Sequence, residues 1–288
     1  MTVLESIQKG TEFLAKKGVE SPRLQVELLL AHLLKLPRMK LYLNFERLLT
    51  TPEVDSFREL IKRRGRREPL QHIVGSTSFC GLELVVNRHA LVPRPETEIL
   101  AELGWQFLNQ LPARNSQPST ALDFGTGSGC LAVALAVKCP GAQVWAMDIS
   151  AEALELAKQN AERHRATNGI RFVRSDGFTA LPPEIRFNLI ISNPPYVPSA
   201  EIGTLQPEVR DYDPRCALDG GPDGLDCFRR LAAGGQPFLK PGGRIMLEFG
   251  DGQIEDTREI FERQKWIVEA VKEDYSHQPR VLVARRAG

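Results

Sequence analysis

The segment Ala121-Leu122-Asp123-Phe124-Gly125-Thr126-Gly127-Ser128-Gly129 constrains the fold more than any other part of the chain. Its apolar start reads as a buried strand, its glycines as a loop, and the stretch from Cys130 to Lys138 as a helix. A strand that turns directly into a helix is the opening of a βαβ unit, and such units build parallel α/β sheets. Glycines at alternate positions let a ligand approach the backbone closely, because no Cβ stands in the way. The spacing is G-x-G-x-G and not the dinucleotide pattern G-x-G-x-x-G, so a pyrophosphate docked on the helix N-terminus is less well matched. An ordinary tight turn is the competing reading of the loop taken alone.

The strand ends that follow add chemistry to this loop. Gln143-Val144-Trp145-Ala146-Met147-Asp148 ends in an acid suited to two vicinal ribose hydroxyls, which points to an adenosine-containing cofactor. Ile170-Arg171-Phe172-Val173-Arg174-Ser175 runs into Asp176-Gly177-Phe178, where Asp176 suits an adenine amino group and Phe178 an apolar wall. An Asx-type turn competes with that role for Asp176. The run Phe187–Ser192 then stops at Asn193-Pro194-Pro195-Tyr196. Two prolines remove two backbone donors but keep their carbonyls, and the residue before a proline leaves the α region. The result is a stiff corner rich in acceptors, suited to a planar –NH₂ group, where a plain structural reading sees only a turn. In an open parallel sheet, ligands bind beyond the carboxyl ends of the strands, so all these groups converge on one crevice. A cofactor beside an –NH₂ substrate implies group transfer to nitrogen.

Asp123 to Gly129 and Asn193 to Tyr196 together resemble the S-adenosylmethionine-dependent amino-methyltransferases. Leu91-Val92-Pro93-Arg94-Pro95-Glu96-Thr97-Glu98, the run Ala217 to Asp226, and Arg67-Glu68-Pro69-Leu70-Gln71 narrow the resemblance to the HemK/PrmC family. The resemblance covers nearly the whole chain. It implies a Rossmann-like methyltransferase sheet with a small N-terminal helical bundle and a β-hairpin linker. It implies S-adenosyl-L-methionine as cofactor, and as substrate the glutamine side-chain nitrogen (N5) in the Gly-Gly-Gln loop of peptide chain release factors. Carried onto this chain, the cofactor residues are Gly125, Thr126, Gly127, Ser128, Gly129, Asp148, Asp176, Gly177, Phe178 and Asn193. The catalytic residues are Asn193, Pro194, Pro195 and Tyr196, and no metal is implied.

Length and periodicity suggest how the chain is divided. At 288 residues two domains are the better prior, and 42% hydrophobic with 25% charged residues suffices for a sizeable core. The division expected is a helical substrate-docking domain over residues 1–75, a hairpin linker over 76–90 and the methyltransferase domain over 91–288. Val3 to Lys17, Pro22 to Leu36 and Pro52 to Arg67 carry apolar residues at helical spacing. Ser21-Pro22 and Thr51-Pro52 are expected to open the second and third helices, and Leu24, Leu28, Leu29, Ala31 and Leu33 to line the bundle interior. Alternation of Phe79, Leu82, Leu84 and Val86 marks the hairpin. In the catalytic part, Arg244 to Phe249 and Arg280 to Arg285 read as further strands, with a Pro241-Gly242-Gly243 turn before the first.

Several function classes fit less well. A net charge of +1 gives no global field for nucleic acid. The cysteines (Cys80, Cys130, Cys139, Cys216, Cys227) lack C-x-x-C spacing, which suggests reduced thiols, and the chain reads as a cytoplasmic monomer with no membrane role. The five histidines form no ligand pattern. The cluster Lys62-Arg63-Arg64-Gly65-Arg66-Arg67 reads as a solvated helix end complementing the dipole, with partner docking as the minority reading. The rival enzyme is a nucleic-acid exocyclic-amine methyltransferase using the same corner. The rival from another class is a non-catalytic nucleotide-binding protein that uses the glycine loop alone.

Overall fold

A computed structural model describes residues 1–111 and 118–287. The chain divides into two units, one made of Met1–Ser76 with Gln206–Tyr212 and the other of the remaining described residues.

The first unit is helical. Val3–Lys16, Pro22–Leu34 and Thr51–Gly65 are its main helices, with single turns at Arg38–Leu41, Leu70–Val74 and Pro207–Arg210. The first and third main helices open with capping boxes, Thr2 with Glu5 and Thr50 with Glu53, each satisfying two end donors. The third helix therefore begins one residue before the Thr51-Pro52 pair suggests. Ser21 also departs from expectation: it sits in the left-handed region at φ 46° and its side chain caps nothing. The interior face of the second helix is Val26, Glu27, Leu29, Leu30 and Ala31, whereas Leu24 is 42% exposed and Leu28 and Leu33 are half-buried. The reason is Glu27, whose carboxylate receives Arg23 at 3.0 Å, Arg38 at 2.8 Å and Tyr42 at 2.9 Å, so an acid occupies the interior stripe.

Part of the basic cluster is used internally. Arg64 is buried and donates to Gln25 at 2.6 Å, to the Glu68 carbonyl at 3.0 Å and to Glu208 at 2.6 Å. Arg67 binds both oxygens of Glu208 at 2.6 Å, and Arg63 forks onto Glu68 at 2.8 and 2.5 Å. Lys62 and Arg66 are exposed at the helix end, as the sequence suggests, whereas Arg64 and Arg67 clamp the turn that carries Glu208. Bidentate pairing of a planar guanidinium with a carboxylate gives this clamp its directionality.

The second unit opens with a hairpin, β1 (Ser76–Phe79) and β2 (Leu82–Val85), whose turn residues Cys80 and Gly81 both have positive φ, 51° and 77°. That turn geometry matches the twist of the flanking strands. Phe79 and Leu84 enter the core, and the Asn160 side chain ties Val85 down from both its N–H and its carbonyl, at 2.7 and 3.0 Å. The main sheet holds β3 (Thr120–Phe124), β4 (Gln143–Asp148), β5 (Ile170–Arg174), β6 (Phe187–Ser192), β7 (Leu239–Glu248), β8 (Trp266–Glu273) and β9 (Pro279–Arg286). Their order is β5-β4-β3-β6-β7-β9-β8, parallel through β7 and antiparallel at β9 and β8.

Each central strand is buried on both faces, which is why it reads as a continuous apolar run and not as an alternation. Val144, Ala146, Leu189, Ile191 and Met246 face one core with the helices Thr97–Gln110, Cys130–Lys138 and Ala151–Arg163. Trp145, Met147, Ile190, Ile245 and Leu247 face the other, with Phe228, Leu231 and Phe261 from the helices Asp226–Gly234 and Ile254–Arg263. Pro241-Gly242-Gly243 is a bulge inside β7 and not a turn before it: pairing with β6 jumps from Phe187↔Leu239 to Leu189↔Arg244. The edge strand β8 is one that the sequence pattern does not announce. Strand order reverses between β3 and β6, and there the carboxyl ends leave a crevice.

Candidate active site

The crevice is a cavity of about 620 Å³ walled by residues of the second unit alone. The loop after β3 is built by a buried acid. Asp123 Oδ2 accepts from Thr126 Oγ1 at 2.6 Å and from the Ala132 N–H at 3.0 Å, joining the loop to the first turn of the following helix. Its Oδ1 has no partner among the described residues. Burial pushes the Asp123 carboxyl up to about 7, against the two hydrogen bonds that favour its charge. Gly125 and Thr126 both donate to the Met147 carbonyl at 2.8 Å, which lashes the loop to β4. Gly125 has φ 73°, and a Cβ built there would meet nothing within 4 Å; at Gly127 it would meet only Ala90, 3.8 Å away. The loop is therefore an open cradle facing the cavity, and Gly125 and Gly127 are the residues whose missing side chains keep it open.

Asp148, at the end of β4, accepts from the Gly127 N–H at 2.8 Å and from the Ser150 N–H at 2.9 Å, one on each oxygen. A carboxylate offers about four acceptor positions, so both oxygens retain capacity toward the cavity they line. A vicinal diol fits that donor demand. Asp176 and Gly177 also line the cavity, but the Asp176 carboxylate is paired with Arg230. A Cβ on Gly177 would come within 2.9 Å of the Arg230 guanidinium, so that guanidinium fills the space a side chain would take. Phe178 is not on the cavity wall. Its ring stacks on Phe238 at 5.2 Å and leans on Phe124 at 5.0 Å, because the second core draws it inward.

Asn193 lies on the wall directly after β6, which pairs with β3 in register from Ala121↔Leu189 to Asp123↔Ile191. Its Nδ2 donates to Thr97 Oγ1 at 3.0 Å, leaving Oδ1 as the acceptor end of the carboxamide. Pro195 is also on the wall, whereas Pro194 and Tyr196 are not. The Tyr196 ring packs on Gly250, where a Cβ would meet it at 2.9 Å, and burial pushes its hydroxyl up to about 12. Two contacts hold the corner from behind. Gln253 Nε2 donates to the Tyr196 carbonyl at 2.9 Å, and Val197 forms a parallel bridge with Asp219. Gly224 lies so close that a Cβ would sit 2.4 Å from the Tyr196 carbonyl, which explains a glycine in that run.

The structure thus brings Gly125 to Ser128, Asp148, Asp176, Gly177, Asn193 and Pro195 to one cavity and leaves Gly129, Pro194, Tyr196 and Phe178 off its wall. Gly129 instead lets two helices approach, a Cβ there falling 2.8 Å from Ala157. Residues absent from the sequence-based site include Asp123, Thr97 and Arg230. Only Asp123 had a local signal, an acid at the end of an otherwise apolar strand.

The PrmC N-terminal domain model matches residues 5–75 and the methyltransferase small domain model residues 104–205. The release factor glutamine methyltransferase of Geobacter sulfurreducens is 46% identical over 252 residues, 87% of this chain and 85% of that protein. The protein of the same name from Koribacter versatilis is 39% identical over 286 residues, 99% of both chains. A methyltransferase from Pyrococcus furiosus shares the fold at TM-score 0.51 and 22% identity, over 77% of this chain and 97% of that one.

Proposed function

Because the chain belongs to the release factor glutamine methyltransferase family, we propose that it methylates the side-chain amide nitrogen of the glutamine in the Gly-Gly-Gln motif of peptide chain release factors. The observation that carries this reading is a carboxamide acceptor, Asn193 Oδ1, on the same cavity wall as an open glycine cradle and a carboxylate suited to a diol. S-adenosyl-L-methionine, when bound, supplies a methyl group on a sulfonium. Gly125 to Gly127 and Asp148 would hold it through backbone and carboxylate.

A glutamine amide is a poor nucleophile because its nitrogen lone pair is delocalised into the carbonyl. Asn193 Oδ1 accepts one N–H, which raises electron density on nitrogen and fixes its direction; Pro194, off the wall, does not take the other. Alignment of this kind is worth roughly 7–11 kcal/mol in favourable cases. The nitrogen loses its proton after the N–C bond forms, when it has become acidic, so no strong base is needed before attack. We assign the unit that contains residues 1–75 to docking of the release factor, since it is a separate bundle with no catalytic constellation of its own. The enzyme acts as a cytoplasmic monomer and needs no nucleic acid. No described helix is long and apolar enough to cross a membrane.

The test is methyl incorporation from labelled S-adenosylmethionine into a release factor, the same factor with its target glutamine changed to glutamate, DNA and RNA. Label in the unaltered factor alone is expected. Label persisting in the glutamate variant, or appearing in nucleic acid in place of the factor, overturns the reading. For docking, a variant lacking residues 1–75 that still binds cofactor should methylate the intact factor more slowly than the full chain; an equal rate removes the assignment.

A further inference from the structure

Asn193 can accept a substrate N–H only if its carboxamide is turned with the oxygen outward. A carboxamide is nearly symmetric in shape, so packing alone does not choose between the two orientations; hydrogen bonding does. Thr97 is the partner that chooses. It is the first residue of the helix Thr97–Gln110 and is 1% exposed. The hydroxyl receives Asn193 Nδ2 at 3.0 Å. Behind it lies Glu248, the last residue of β7 and itself 1% exposed, whose charged form the Thr97 side chain favours. Neither Thr97 nor Glu248 lines the cavity, so neither touches a substrate there directly.

We propose that Thr97 and Glu248 are positioning residues that set the polarity of the Asn193 carboxamide and so fix which substrate atom the corner accepts. The assignment rests on the methyl-transfer reading above and deepens it. A hydroxyl has one hydrogen. With Glu248 ionised, that hydrogen goes to the carboxylate, which can only accept. The Thr97 oxygen then has only lone pairs for Asn193, which must turn Nδ2 inward and Oδ1 toward the cavity. A substrate –NH₂ is welcomed and a substrate carboxylate or carbonyl is refused. With Glu248 protonated, its own hydrogen can go to Thr97 and release the threonine hydrogen toward Asn193, and the polarity is no longer imposed.

The helix that carries Thr97 is held tightly enough to make this geometry specific. A Cβ at Gly104 of the same helix would meet Ile191 at 3.0 Å and Leu189 at 3.3 Å, both on the strand that leads into Asn193. Glu248 keeps Oε2 without a hydrogen-bond partner among the described residues, a costly feature for a merely structural acid. Burial raises its carboxyl to about 7, with Thr97 favouring the charged form, then Arg280 and Arg94 doing the same and Glu96 opposing it; the Tyr196 hydroxyl feels its charge as well.

Three variants test the assignment: Thr97→Val, which keeps shape and removes the hydroxyl, Thr97→Ser, which restores it, and Glu248→Gln. With saturating S-adenosylmethionine and release factor, Thr97→Val is expected to lower kcat by roughly tenfold, the worth of one such bond. Thr97→Ser should recover most of the loss, and cofactor Kd should stay unchanged in both. The wild-type kcat should rise with pH through about 7, and Glu248→Gln should flatten that limb. Independently of turnover, the Asn193 side-chain amide signal in NMR, assigned with Asn193→Ala, should exchange slowly in wild type and fast in Thr97→Val. Wild-type kcat in folded Thr97→Val, failure of serine to rescue, or an unaltered pH limb in Glu248→Gln overturns the assignment. If wild type transfers no methyl to glutamine, the functional reading falls, while the amide signal still decides the orientation of Asn193.

Discussion

In the helical unit the Glu27 carboxylate is met by Arg23, Arg38 and Tyr42, and that of Glu208 by Arg64 and Arg67, whereas in the sheet unit Asp123, Asp213 and Glu248 each keep one oxygen unpartnered among the described residues. Burial raises the carboxyl of Glu27 and of Glu208, but hydrogen bonds from their partners outweigh it and hold both below the ordinary range. Burial wins at these three acids of the other unit, taking Asp123 and Glu248 to about 7 and Asp213 to about 6. The same residue types therefore do different work. Where an acid is saturated by guanidinium it fastens elements together. Where it is buried and left short of partners, it stands behind a cavity, as perturbed carboxyls at functional sites do.

The largest effect that could break this contrast lies at the corner. Asn193→Ala should cost on the order of a hundred- to a thousandfold in turnover, as loss of an aligned polar group does, with an unchanged melting temperature. Steady-state kinetics on a release factor decides it, and near-normal turnover would make the corner only a turn. Next is Glu208→Ala, which strands the buried Arg64 guanidinium without its charge partner. Breaking such a pair is expected to cost about 2–4 kcal/mol of stability, visible in denaturant unfolding, and to leave cofactor affinity unchanged. A stable Glu208→Ala variant would mean the clamp is ornamental.

Smaller is the effect of Asp148→Ala, which should weaken S-adenosylmethionine by roughly ten- to a hundredfold, the worth of charged hydrogen bonds, while slowing the saturated reaction less. Calorimetry showing wild-type affinity would take Asp148 out of the site. The smallest is a pH effect with opposite signs at these two sets of acids. An acid raised to about 7 keeps its proton in the folded state where the unfolded chain has lost it, so its contribution to stability falls as pH rises from the ordinary range to about 7. An acid held low contributes above the ordinary range and loses that contribution as pH falls through its folded value. Replacing Glu248 by Gln should therefore remove on the order of 1 kcal/mol of destabilisation at pH 8 and very little at pH 4.5. Thermal melts at the two pH values, for Glu248→Gln beside wild type, would reverse the comparison if the gain appeared at the acidic one.

What could be read in the sequence was local or periodic. The apolar runs that became β3, β4, β5 and β6 each span a few residues, and the glycine loop and Asn-Pro-Pro-Tyr follow their strands directly, so order along the chain already aligned them at the carboxyl ends of one sheet. The hairpin's alternation is of the same kind. Where local rules competed with packing, packing prevailed. Pro-Gly-Gly in β7 resembles a turn, yet continued pairing with β6 on both sides makes it a bulge. Phe178 follows a strand end aimed at the cavity, yet Phe124 and Phe238 offer it more buried contact.

The polar partnerships were decided by the tertiary structure alone. Thr97 meets Asn193 across 96 residues of chain, Arg64 meets Glu208 across 144, and Arg230 takes Asp176 across 54. A hydrogen bond is fixed by tenths of an ångström and by the direction of a lone pair, quantities that residue spacing does not carry over such separations. The chain alone specified that an acceptor-rich corner would lie beside a glycine cradle. Which end of the Asn193 carboxamide faces the cavity depends on a buried threonine and glutamate that only the packed sheet and helix bring behind it.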